Sequence, residues 1–279
     1  MELINGKEIS EKIKNDLKEE IKHYMIKPCL VVIQIGNNEA SNIYIKSKEK
    51  ASLEIGLNFR HFLFEETTSE QEIINKIIEL NNDEYVDGII VQLPLPEKYN
   101  QKRILNQITA SKDVDGLSDL SQAKLVSNRP CFIPCTPSAV ISLLEEKEIE
   151  IEGKNVTIIG RSNLVGKPLL NLMLNKNATV TVCHSKTKNL KEHTKNADIL
   201  ICAVGQKHLI TENMVKEGAV VIDIGINREE GKIYGDVDFD NVSKHTSYIT
   251  PVPGGVGPMT VTMLLKNTID SYKKRITSK

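Results

Sequence analysis

Apolar positions along this chain follow two alternating periods. The opening stretch spaces Ile9, Ile13, Leu17 and Ile21 four residues apart among Lys and Glu, which predicts an amphipathic helix. Short, nearly continuous apolar runs follow at 29–36, 58–64 and 86–93 and read as strands, each trailed by a helical segment. Ser69 stands before one of these segments as a candidate N-cap. After a loop-rich stretch at 113–137 the pattern restarts, with β-rich runs at 156–160, 179–183, 198–205 and 219–226. Repeated βα units predict parallel sheets covered by helices, and two series separated by a break predict two domains. A last helix is expected over 261–272, following a Pro/Gly run that gives the chain a place to cross back to the first series.

Composition narrows the function classes. A chain of 279 residues with a net charge of −1 has no basic surplus for nucleic acid or an anionic membrane. The absence of Trp and an aromatic content of 4% leave little for stacking on bases. No apolar run reaches the roughly 18 residues of a membrane span, and MELINGKEIS is not a signal peptide, so a cytoplasmic location is expected. The five cysteines (Cys29, Cys131, Cys135, Cys183, Cys202) are odd in number and scattered, and read as reduced thiols. Cys131 and Cys135 have no second ligand pair at zinc spacing, so no metal is expected.

Two rigid turns and one glycine turn carry the candidate chemistry. PVPGGVGPMT (251–260) holds three prolines and three glycines, and could present its backbone groups as a fixed wall or serve only as a linker. VQLPLP (91–96) closes another apolar run. The strand at 156–160 leads directly into GRSNLVGKP (160–168) and then an apolar helix, the setting of a dinucleotide turn, although Ser162 stands where GxGxxG has its second glycine. The next strand ends in TVTVCHSKTK, with His184, Ser185 and Lys186 where an NAD-binding protein usually has an acid. That absence, with Arg161 in the turn, favours NADP, against the reading of solvated loop charges. His184 stays open between structural, ribose-contacting and chemical roles.

The helix expected over 40–56 puts Lys46, Glu49, Lys50 and Glu54 on one arc, whereas Lys48 projects among Ser41, Tyr44, Ala51, Ser52 and Ile55. A lysine there can snorkel, pair with a buried acid, or work in a site, where desolvation would free its amine as a general base. Gln92 closes the strand of 86–93 at the carboxyl end, where parallel sheets hold their ligands. In KDVDG (112–116), Asp113 and Asp115 are either turn chemistry or acceptors for the paired N–H groups of a heterocycle.

YIKSK, VQLPLP, KDVDG, PCTP, GRSNLVGKP and PVPGGVGPMT, in this order, resemble the methylenetetrahydrofolate dehydrogenase/cyclohydrolase family over nearly the whole chain. The resemblance implies an α/β protein with an N-terminal parallel-sheet domain (1–118, completed by the C-terminal helix 258–279) and a doubly wound Rossmann domain (119–257). It implies a folate cleft between the domains and a homodimer. It further implies oxidation of methylenetetrahydrofolate by NADP, then hydrolysis of the methenyl product to formyltetrahydrofolate, within one-carbon metabolism leading to purine biosynthesis. Matched by position, Lys48 is the catalytic lysine, Tyr44 its aromatic neighbour and Gln92 the glutamine that tunes it. Ser41, Val91, Leu93, Asp115, Pro253, Gly254, Gly255, Gly257 and Thr260 match folate contacts, and Gly160, Arg161, Ser162, Ser185 and Ile226 match cofactor contacts. The chain departs from the family pattern in LSDLSQAKLV (117–126) and at Ala139, where glycine is common. Rival readings are a dehydrogenase without hydrolysis, a non-catalytic NADP-binding module, and an enzyme of amino or keto acids. The last lacks an arginine clamp in the candidate turns, and no GxxxxGK[ST] loop marks a synthetase.

Overall fold

Both βα series fold as parallel sheets. The structure, a computed structural model, describes residues 1–277. In chain order the first elements are β1 (Glu2–Leu3), α1 (Gly6–Lys22), β2 (Cys29–Ile35), α2 (Glu39–Ile55), β3 (Asn58–Phe64) and α3 (Glu70–Asn82). Next come β4 (Gly88–Val91), α4 (Gln101–Leu105), α5 (Asp119–Val126), α6 (Cys135–Glu146), β5 (Asn155–Ile159), α7 (Gly166–Asn175), β6 (Thr179–Cys183) and α8 (Leu190–Thr194). The chain ends through β7 (Ile199–Cys202), β8 (Ala219–Asp223), β9 (Asn227–Glu229), β10 (Lys232–Tyr234), α9 (Phe239–Val242), β11 (Thr246–Ile249) and α10 (Val256–Thr277).

The chain divides into two units, one of Lys12–Cys135 with 261–277 and one of Met1–Glu11 with Thr136–Thr260. The division falls later than the break expected at 118, and the first residues join the second series. Hydrogen bonds account for both differences. Asp113 accepts from the Ser118 N–H at 3.0 Å and the Ser121 hydroxyl at 2.6 Å, and Asn267 donates to the Val114 and Ile133 carbonyls at 2.8 and 3.2 Å. These bonds keep 113–135 with the first series. At the other end β1 pairs in parallel with β11, and the Ile4 N–H donates to the Ile249 carbonyl at 2.8 Å.

In the first unit the sheet order is β3-β2-β4, all parallel. Cys29, Val31, Ile33, Ile35, Ile89 and Val91 form a core with Ile73, Ile74, Ile77 and Leu80 of α3, and with Tyr99, Ile104 and Leu105. Leu30, Val32 and Ile90 point to the opposite face and are also buried, so β2 and β4 are covered on both sides. Ser69 caps α3 in a full capping box with Glu72. Inside the stretch expected to be loop, 119–126 forms α5, while Ala139, which belongs to the second unit, is fully buried in α6.

The second unit has the sheet order β1-β11-β8-β7-β5-β6. Strands β5 to β8 and β11 are parallel, and the chain leaves β5 for β6 and returns to β7 on the other side of β5. This is the doubly wound Rossmann arrangement, whose ligand crevice lies beyond the carboxyl ends of the strands where the order reverses. The β9–β10 hairpin turns at Glu230 and Gly231, both at positive φ (48° and 77°), as a two-residue hairpin requires.

Candidate active site

Lys48 is held by two well-terminated elements of the first unit. The Asn38 side chain accepts from the Ser41 N–H to start α2, and Gly56 ends it at φ 95°. Lys48 lies half-buried along α2, with Ser41 buried and Tyr44 40% exposed on the preceding turns. Strand β4 ends at Val91, which is buried, and the Gln92 N–H extends the ladder by donating to the Ile33 carbonyl at 2.8 Å. Lys48 Nζ then donates to Gln92 Oε1 at 2.8 Å, while Gln92 Nε2 donates to the Leu93 carbonyl at 2.6 Å. The second bond sets the orientation of the amide, so its oxygen faces the lysine.

Among the described residues Lys48 makes no ion pair within 4.0 Å. Burial holds its pKa below the ordinary lysine value, and the Asp115 charge opposes that shift without cancelling it. Of the three roles open to this lysine, snorkelling and a close buried ion pair are both absent.

The two aspartates of KDVDG separate cleanly. Asp113 is buried and accepts from the Leu117 N–H at 3.2 Å, the Ser118 N–H and the Ser121 hydroxyl, so it anchors the start of α5. Asp115 has no such network. Its carboxyl is bonded by the backbone and thiol of Cys135 at the start of α6, and burial pushes its pKa up. Cys135, read from sequence as an ordinary thiol, is buried, with Sγ 3.6 Å from the Val114 carbonyl, and burial raises its pKa well above the usual thiol value. The PCTP motif contained this residue, but only the fold brings it to Asp115.

In the second unit Gly160 follows β5 at φ 121°, and a Cβ there would come within 2.5 Å of the Ala203 carbonyl oxygen. A side chain is therefore excluded by both backbone and neighbour. The Ser162 hydroxyl accepts from the N–H groups of Val165 and Gly166 at 3.1 and 3.4 Å. The first amides at the start of α7 are thus taken up by Ser162. The open donors lie one turn earlier: the N–H groups of residues 161–164 have no acceptor among the described residues. Arg161 is exposed and has no partner among the described residues, and Ser185 is exposed at the end of β6. His184 builds that turn, its Nδ1 accepting from the Lys186 N–H at 3.1 Å. Ile226 is 45% exposed beyond β8.

The Pro/Gly run is shorter than the sequence indicated, because α10 starts at Val256, ahead of both the 261 expected from periodicity and the 258 implied by the resemblance, and takes in Gly257, Pro258 and Thr260. Pro258 is tolerated there because the first amides of a helix have no intrahelical acceptor. Pro253 and Gly254 lie ahead of the helix, with the Gly254 carbonyl accepting from the Lys7 N–H at 3.0 Å. A Cβ on Gly255 would lie 2.6 Å from the Pro251 carbonyl oxygen, so only glycine fits. Thr260 Oγ1 meets Thr136 Oγ1 at 3.2 Å. Residues 278 and 279 of the expected terminal helix lie outside the described residues.

Comparison with known proteins finds two family matches. Residues 4–115 match "Tetrahydrofolate dehydrogenase/cyclohydrolase, catalytic domain", and residues 134–276 match "Tetrahydrofolate dehydrogenase/cyclohydrolase, NAD(P)-binding domain". A Campylobacter hominis protein named "Bifunctional protein FolD" is 52% identical over 280 residues, covering 99% of each chain. The solved structure of the bifunctional methylenetetrahydrofolate dehydrogenase/cyclohydrolase from Campylobacter jejuni is similar at a TM-score of 0.97 and 50% identity, covering 99% of each chain. A Trypanosoma brucei dehydrogenase-cyclohydrolase, solved with NADP cofactor and an inhibitor, is similar at a TM-score of 0.92 and 36% identity, covering 99% of this chain and 98% of its own.

Proposed function

The chain belongs to the tetrahydrofolate dehydrogenase/cyclohydrolase family, and from that premise we propose that it carries out both reactions on one-carbon folates. It oxidises methylenetetrahydrofolate to methenyltetrahydrofolate with NADP, and hydrolyses the product to formyltetrahydrofolate. The observation that carries this reading is the Lys48–Gln92 contact at 2.8 Å, made by a half-buried lysine with no ion-pair partner among the described residues. A lysine in that setting loses its proton more readily than one in water.

Each residue then has a physical task. Neutral Lys48 accepts a proton as water adds to the methenyl carbon, after which a ring C–N bond breaks and leaves the formyl group. Gln92 Oε1 takes an amine hydrogen of Lys48 and so aims the nitrogen lone pair. Asp115, free of the capping work done by Asp113, is assigned the N–H pair of the pterin, and Tyr44 a place beside Lys48 on its helix face. The contacts carried with this reading for the rest of the folate are Ser41, Val91, Leu93, Pro253, Gly254, Gly255, Gly257 and Thr260.

NADP, when bound, supplies the hydride acceptor. The residues of the turn fit it: four open N–H groups at 161–164 suit a pyrophosphate, and the unpaired Arg161 guanidinium suits a further phosphate. No carboxylate lies between Cys183 and Lys191 to claim a ribose hydroxyl in its place. Gly160, Ser162, Ser185 and Ile226 complete the assigned cofactor contacts. The same family reading carries a cytoplasmic homodimer and a product spent in purine biosynthesis.

The test is a spectrophotometric assay of the purified protein. Methylenetetrahydrofolate is supplied with NADP or with NAD, and methenyltetrahydrofolate alone is followed for loss above the buffer rate. Reduction of NADP together with enzyme-dependent hydrolysis is the expected result. Reduction without hydrolysis would leave a monofunctional dehydrogenase, and neither activity in folded, NADP-binding protein would remove the folate assignment.

A further inference from the structure

A pair of buried carboxylates in the second unit, Asp223 and Asp236, lies outside every role assigned so far. Both are nearly inaccessible, at 3% and 0%, and neither makes an ion pair with a cation among the described residues. Asp236 is surrounded by N–H donors. Its Oδ2 accepts from the backbone of Val204 and Gly205 at 2.8 and 3.2 Å, and its Oδ1 from the backbone of Gln206 at 2.8 Å and the Asn227 side-chain amide at 3.1 Å. Three successive amides converging on an anion form a nest of the kind that elsewhere binds phosphate. Here the protein fills that nest with its own carboxylate.

Asp223 completes the arrangement from the other side. It ends β8 and accepts from the N–H groups of Gly225 and Asp236 on Oδ1 and of Val237 on Oδ2, at 2.9, 3.0 and 2.9 Å. The glycines around the pair are reciprocal. A Cβ on Gly225 would strike the Asp236 carboxylate, and a Cβ on Gly235 would strike that of Asp223. Each carboxylate thus occupies the side-chain space left vacant by a glycine on the opposite segment.

The place of this tether in the sheet connects it with the cofactor. The loop after β7 and the loop after β8 both leave the carboxyl edge, and β7 is the direct neighbour of β5 and its glycine turn. Each loop has a buried anchor and an exposed apolar tip: Val204 is 40% exposed and Ile226 45%. We infer that Asp236 is a positioning residue for the cofactor, whose carboxylate fixes the loops bearing Val204 and Ile226 at the carboxyl edge of the sheet and closes the amide nest after β7 to phosphate. The inference rests on the proposed binding of NADP. Charge-assisted bonds to four donors hold these loops more firmly than neutral bonds would, so the crevice wall is set before the cofactor arrives.

Two variants and two readouts test it. In Asp236→Asn one oxygen becomes an NH₂ group facing N–H donors, so at least one side of the nest is opened. Asn227→Ala removes only the side-chain link and leaves the nest filled. NADP binding is measured by titration calorimetry, where the stoichiometry reports folded protein and Kd is independent of it. Dehydrogenase KM and kcat are measured in parallel. Asp236→Asn is expected to raise Kd and KM for NADP at least tenfold with a smaller change in kcat, and Asn227→Ala to raise them two- to fivefold. Unchanged Kd in both variants, or a loss of stoichiometry with wild-type Kd in the remainder, would overturn the inference. If Asp236→Asn does not fold, the Asn227→Ala value decides. Wild-type protein that binds NADP but oxidises no methylenetetrahydrofolate would refute the functional reading alone, because the Kd comparison still stands.

Discussion

Replacing Asp113 and Asp115 one at a time separates a structural carboxylate from a chemical one only two residues away. Asp113→Ala removes the acceptor of the Leu117 and Ser118 N–H groups and of the Ser121 hydroxyl. Ser121 keeps a second partner in the Ser118 hydroxyl at 3.1 Å, and half-buried Leu117 can turn to water, but the buried Ser118 amide cannot. With hydrogen bonds to a charge worth roughly 1.5–3 kcal/mol each and a stranded buried donor costing about 1–3 kcal/mol, the total loss is about 3–5 kcal/mol. For a chain of this size that lowers Tm by about 10 °C. Asp115→Asn keeps an oxygen to accept from the Cys135 backbone and removes a charge that burial already disfavours, so Tm should move by no more than about 2 °C. Hydrolysis of methenyltetrahydrofolate should nevertheless fall about 100-fold or more in Asp115→Asn, the scale of a lost acid–base or orienting group. Calorimetric melts and the hydrolysis assay on the same preparations make the comparison. Equal losses of Tm at both positions, or a wild-type melt with lost activity in Asp113→Ala, would refute the division of roles.

Three further outcomes follow from the same geometry. Lys48→Met should abolish hydrolysis while leaving NADP binding intact. Because folding lowers the Lys48 pKa, the folded protein binds fewer protons than the unfolded chain from that lowered value up to the ordinary lysine range, and stability rises with pH across that window. The Met variant should therefore be the more stable protein at neutral pH, with its advantage shrinking toward about pH 10 in denaturant titrations; an advantage that grows with pH would reverse the sign. Arg161→Ala, at an exposed and unpaired position, should leave Tm unchanged and weaken NADP about tenfold more than NAD, a guanidinium–phosphate bond being worth about 1.5–3 kcal/mol; equal losses would remove its phosphate role. Gly160→Ala must accommodate a Cβ against the Ala203 carbonyl at positive φ, and should lose cofactor affinity and about 2 kcal/mol of stability by urea unfolding; a wild-type midpoint and affinity would show that the turn relaxes freely.

The elements legible in the sequence were those with a period. Strands β2, β4, β5, β7 and β8 appear as apolar runs because parallel strands covered on both faces are buried along their length, the edge strands β3 and β6 remain half-exposed, and Lys48 stands out because it breaks the polar arc of its helix. Strand β1 has two residues and no period to detect, while α5 buries only Ser121 and Leu125 and exposes Leu120 and Val126, leaving no apolar stripe. The start of α10 was hidden by Gly257 and Pro258, which look like breakers but sit where a helix needs no amide partner. The Asp236 tether was invisible for a different reason. Its donors are backbone amides of 204–206, whose side chains carry no trace of the bond. Lys48 and Gln92, by contrast, were readable as separate anomalies, and the fold supplied only the 2.8 Å between them.

The discontinuous first unit has a consequence for biosynthesis. Its sheet and α3 core are complete once residue 135 has been made, but α10 supplies the Arg275 partner of buried Asp87, the Ser271 bond to the Ser111 carbonyl and the Asn267 bonds to Val114 and Ile133. Those contacts form only after about 140 more residues are translated, roughly 10–30 s at bacterial-type elongation rates. During that interval the nascent chain carries a half-closed unit in which Asp87 keeps its Cys29 N–H donor but lacks its Arg275 ion-pair partner, with apolar surface meant for Leu264, Leu265 and Ile269. A ribosome stalled or released before α10 emerges would therefore yield a product open to chaperones and proteases, so that the presence of α10 is checked by folding itself.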